Sequence, residues 1–76
     1  MLYKILVFDS THTVMKAEKT LLGSFPGLSI IPTPKEFSSS CGISIRVPAD
    51  QFIEEGIHSL LTAERINYRV FEKEMK

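Results

Sequence analysis

The chain is predicted to be an α+β domain of the ferredoxin-like split βαβ type, with elements in the order β-α-β-β-α-β. Three observations predict this. Short apolar runs rich in strand formers open and close the chain. Two segments between them repeat apolar residues at helical spacing. No internal linker divides the 76 residues, so one domain spanning residues 1–76 must hold all six elements.

Residues 2–8 form the first strand. Asp9-Ser10-Thr11 supplies helix-capping side chains. Val14, Ala17, Leu21 and Leu22 then recur at helical spacing, with Lys16, Glu18 and Lys19 on other faces. Gly23 and Pro26-Gly27 end this helix. Residues 28–31 are a second strand, closed by Pro32-Thr33-Pro34. The polar stretch 33–40 reads as a loop, with room for one helical turn at Lys35-Glu36-Phe37. Ile43, Ile45 and Val47 alternate with Ser44 and Arg46, the pattern of a half-buried strand.

Pro48-Ala49-Asp50 opens the second helix, whose Ile53, Ile57, Leu60, Leu61 and Glu64 share one stripe. Residues 67–72 are the last strand, with Tyr68 and Val70 on one side and Arg69 and Phe71 on the other. Residues 73–76 should fray. The sheet should be antiparallel in order 4-1-3-2, with both helices on one face and the other face open. On the open face the reading places Leu2, Lys4, Leu6 and Phe8, joined by Arg46, Arg69 and Phe71. Leu6, Phe8 and Phe71 would then favour a homodimer through that face. Its basic and aromatic residues also suit RNA stacking, but no glycine- and aromatic-rich RNA-binding signature is present.

Composition narrows the function classes. Nine Lys/Arg balance nine Asp/Glu, which argues against a nucleic-acid or membrane-surface partner. No apolar stretch approaches the roughly 20 residues of a membrane span, and no signal peptide is visible. One cysteine forms no internal disulfide, and one Cys with two separated His is a poor start for a zinc site. A reducing cytoplasm suits a single free thiol. No cofactor is expected.

That thiol, Cys41, sits in Ser38-Ser39-Ser40-Cys41-Gly42, where small neighbours leave little bulk to cover the sulfur. In the expected topology the loop ending at Cys41 shares a sheet edge with residues 9–12. The positive end of the first helix, with Ser10, Thr11 and His12 in or before its first turn, would there favour a thiolate. The competing reading is a cysteine kept for packing, with His12 and His58 as solvated helix residues.

Ser10-Thr11-His12 with Lys16-Ala17-Glu18, then Ile31-Pro32-Thr33-Pro34 and Ser38-Ser39-Ser40-Cys41-Gly42, resembles the small DUF3343 proteins, described as selenium/sulfur carrier-like. The resemblance runs from Tyr3 to about Val70, and Pro-Thr-Pro combined with Ser-Ser-Cys-Gly is its specific part. It implies a carrier that holds a persulfide or selenopersulfide on Cys41 and exchanges it with donor and acceptor proteins. Ser39, Ser40 and Gly42 would shape the loop. Better-known sulfur carriers place a proline after their cysteine, where this chain has Gly42.

Two other classes remain open. One is a regulatory or interaction domain that dimerises through the open sheet face, with Cys41 structural. The other is a thiol enzyme with Cys41 as nucleophile and His12 as base, which lacks a placed acid to orient the histidine.

Overall fold

The structure is a computed structural model that describes residues 1–37 and 42–74. Its elements are β1 (Leu2–Val7), α1 (Thr11–Leu22), β2 (Ser29–Pro32), β3 (Ile43–Pro48), α2 (Glu54–Ala63) and β4 (Arg69–Glu74). Short 3₁₀ turns occupy Lys35–Phe37 and Ala49–Gln51. The four strands make one antiparallel sheet in the order β2-β3-β1-β4, which is the predicted order read from the other edge. The fold is α+β and ferredoxin-like.

The helices cover one face. Val14, Ala17 and Leu21 of α1 and Ile57 and Leu61 of α2 are fully buried, and they pack with Leu6, Phe8, Ile45 and Val47 of the central strands. Full burial of such side chains contributes roughly 1.5–3 kcal/mol each. Phe25, Leu28 and Ile66 close the ends of this core, and Ile43, Phe52, Leu60 and Tyr68 pack at its margin.

Leu6 and Phe8 therefore face the helices, contrary to the expectation that they line the opposite face. Register is the reason. Leu6 pairs with Ile45, and the two side chains must share a face. Both parities of β1 are apolar beyond Lys4, so alternation alone does not say which one meets the helices. Tyr3, Ile5 and Val7 take the second face, opposite Pro48 and Arg46 on β3 and Lys73, Phe71 and Arg69 on β4.

That second face is not bare. The chain leaving β2 turns over it and reaches the far edge strand. The Phe37 ring stacks on Phe71 with centroids 4.4 Å apart and planes 11° apart. Glu36 pairs with Lys73, whose ammonium also sits 6.0 Å from the centre of the Phe37 ring. Closer to β2, the hydroxyls of Thr33 and the fully buried Ser44 are 2.6 Å apart. Ile5 and Val7, on the same face, are 0% and 1% exposed. A dimer built on Leu6 and Phe8 is thus excluded by their burial, and Phe71 is already in use within the chain.

Two boundaries also differ. The residues Pro48-Ala49-Asp50 start a 3₁₀ turn rather than α2, which begins at Glu54 after Ile53, a residue left 60% exposed. At the C-terminal end, β4 runs on to Glu74 instead of fraying from Lys73. Lys4–Glu72 at 2.9 Å, the amino terminus with Glu74 at 2.8 Å, and Glu36–Lys73 tie these charged residues to their surroundings.

Candidate functional site

Four segments meet at one edge of the sheet. Since β1 runs antiparallel to both β3 and β4, the exit of β1 lies beside the starts of β3 and β4. Helix α1 begins at the same edge. Residues 9–12, Gly42 and the connection 64–67 are accordingly neighbours in the topology.

Ser10 is the N-cap of α1, with extended φ −152° and ψ 158°. Its Oγ accepts the Thr13 N–H at 3.2 Å, and its carbonyl accepts the Val14 N–H at 3.1 Å. The first turn has no acidic residue, so nothing within it offsets the positive end of the helix. Thr11 and His12 are exposed in that turn.

Gly42 leads into β3, and its carbonyl accepts the Thr33 N–H at 3.0 Å. Its φ is not positive, and a Cβ built there meets nothing within 4 Å among the described residues. The backbone therefore does not demand glycine at this position. The described residues on either side of 38–41 are held: Phe37 by its stack on Phe71, and Gly42 by Thr33. Ser39, Ser40 and Cys41 lie outside the described residues, so of the sequence-predicted site only Ser10, Thr11, His12 and Gly42 are placed, all on this edge.

Beside them is a cleft of about 220 Å³ between the start of α1 and the end of α2, whose lining includes Asp9, His12, Lys16, Glu64 and Arg65. Lys16 and Glu64 approach to 3.9 Å across it. Of these, sequence reasoning assigned His12 alone to the site. Arg65 is held there by helix termination. It takes φ 58°, donates its N–H to Thr62 O at 3.0 Å, and Ile66 N–H reaches Leu61 O at 2.9 Å. This is a Schellman end with arginine where glycine is usual. No sequence signal marks it: helix α1 ends at Gly23 without a left-handed residue, so the absence of a glycine after Ala63 does not point to Arg65.

His58 is not solvated alone; its Nδ1 lies 3.0 Å from the Tyr68 hydroxyl. Burial, with a smaller push from the Glu54 carboxylate, raises the Tyr68 phenol above its ordinary value. Among the described residues no group of three or more His, Cys, Asp or Glu is arranged to hold a metal ion. No helix among them is long and apolar enough to cross a membrane.

The fold and this edge define a small ferredoxin-like protein in which Phe37 and Gly42, the described residues on either side of the segment bearing Cys41, are held by Phe71 and Thr33. The chain belongs to the family described as "Putative Se/S carrier protein-like", whose model matches residues 3–72. No curated protein and no solved structure matches it.

Proposed function

We propose that the protein is a cytoplasmic carrier of sulfane sulfur or selenium, with Cys41 as the carrying residue. Family membership is the observation that carries this reading. Cys41 is where it applies, because the 76 residues contain no other thiol. The Cys41 thiolate attacks the outer sulfur of a donor persulfide. A new S–S bond forms on Cys41, the donor's own S–S bond breaks, and the donor departs as a thiolate. An acceptor thiolate repeats the exchange, and Cys41 leaves with the electron pair. With a selenopersulfide the bonds made and broken are S–Se. No external oxidant or reductant enters either step.

Ser10, Thr11 and His12 bring the positive end of α1 to the sheet edge where Gly42 enters β3, and that end favours the thiolate. Ser39 and Ser40 shape the loop. Gly42 leaves room for the partner's persulfide to approach, a use of its small size that its backbone conformation does not require.

Alkylation tests the reading. Near pH 6.5 iodoacetamide should modify Cys41 faster than a free thiol with a pKa of about 8.5. Cys41→Ser should abolish modification and leave the fold intact. A Cys41 that reacts only once the protein unfolds is a packing residue, and the carrier reading then fails.

A further inference from the structure

The outward side of α1 presents His12, Met15, Lys16, Lys19 and Leu22 along one shallow groove. Met15 and Leu22 stand seven residues apart, two helical turns, and are 60% and 47% exposed. Lys19 has no ion-pair partner among the described residues. Within the groove Glu18 is the single acidic residue against Lys16, Lys19 and His12, and Lys16 also faces Glu64 at 3.9 Å. The neighbouring helix has the opposite character: Glu54 and Glu55 flank the exposed Ile53 and His58. The helix layer is therefore cationic along α1 and anionic at the start of α2. The far side of the sheet is occupied by the protein's own Phe37.

We propose that the α1 groove is the docking surface for the protein that donates sulfur or selenium, and that it receives an acidic segment carrying two apolar side chains. Met15 and Leu22 accept the apolar side chains, while Lys19, the groove's lysine without an ion-pair partner among the described residues, meets the acidic ones. Charge complementarity selects α1 and turns the same partner away from α2. Position supplies the second argument. Helix α1 begins at the sheet edge where Gly42 enters β3, so a protein lying along α1 reaches Gly42, the residue that follows Cys41 in the chain. The inference rests on the carrier reading and adds the partner's chemistry and its place of contact.

Two loading reactions separate the two claims. Wild type, Lys19→Glu and Leu22→Ser are each loaded from a cysteine desulfurase supplied with cysteine, and separately from inorganic polysulfide. Lys19 and Leu22 are exposed, and circular dichroism confirms that the variants fold. Loading from the desulfurase should fall by about tenfold in either variant, and added salt should slow wild type much more than Lys19→Glu. Loading from polysulfide should be equal in all three. Equal desulfurase rates in wild type and variants overturn the docking surface, as does wild type that accepts sulfur from polysulfide but not from the desulfurase. Failure of wild type to load from either source overturns the carrier reading instead.

Discussion

Replacing Phe37 with alanine removes the ring that stacks 4.4 Å from Phe71, the contact that holds the last described residue before the segment bearing Cys41. Both rings are half-buried, so the cost falls below the roughly 3–5 kcal/mol of a fully buried Phe→Ala change. Partial loss of burial costs about 1 kcal/mol, and the stacking geometry adds about 0.5–1.5 kcal/mol. The expected destabilisation is about 2 kcal/mol, which in a domain of this size lowers Tm by roughly 8–16 °C. Phe71→Ala should cost a similar amount. The double variant isolates the contact: its loss should fall short of the sum of the single losses by about 1 kcal/mol. Urea denaturation of the four proteins measures all three quantities. A coupling below about 0.3 kcal/mol, the ordinary scatter of independent sites, would refute the claim that this stack holds Phe37 against Phe71.

Other substitutions test the sheet edge and the helix ends. Ser10→Ala deletes the cap on the Thr13 N–H and should cost about 1 kcal/mol in thermal or urea unfolding. Arg65→Gly relieves a non-glycine residue at φ 58° and should stabilise by about 1 kcal/mol, so a lowered Tm would contradict the termination described for α2. Tyr68 holds its proton more tightly in the folded state, chiefly through burial and secondarily through Glu54. The stability this gives is complete below the unfolded phenol's value of 10.0 and declines as pH rises from there through the folded value. Unfolding followed against pH should show that decline in wild type and a shallower one in Tyr68→Phe.

What the sequence made legible follows from where its patterns were one-sided. In β3 only one parity is apolar, and Ile43, Ile45 and Val47 do face the helices. Capping residues and a glycine bracket α1, and its ends fall at Thr11 and Leu22 as expected. In β1 both parities are apolar, because the strand is buried on both sides, and the choice of face depended on pairing with β3. The Phe37–Phe71 stack joins residues 34 positions apart, beyond the reach of any local pattern. Pro48 and Asp50 carry helix-start chemistry but serve a 3₁₀ turn. Lys73 and Glu74 read as a frayed end until their partners at Glu36 and at the amino terminus were placed. At the start of α1, Ser10 was legible through capping, and His12 followed from its place in the first turn. Arg65 was missed because its importance comes from a backbone conformation rather than from a motif.

The central claim is that Cys41 holds a transferable chalcogen atom. Intact-protein mass spectrometry after incubation with a persulfide-generating cysteine desulfurase and cysteine tests it directly. The account predicts the mass of one added sulfur on the wild-type protein, mapped to Cys41, removed by a reducing thiol and absent from Cys41→Ser. An unchanged mass in the folded wild-type protein with the desulfurase and with inorganic polysulfide alike, under conditions where a known carrier becomes loaded, would contradict it.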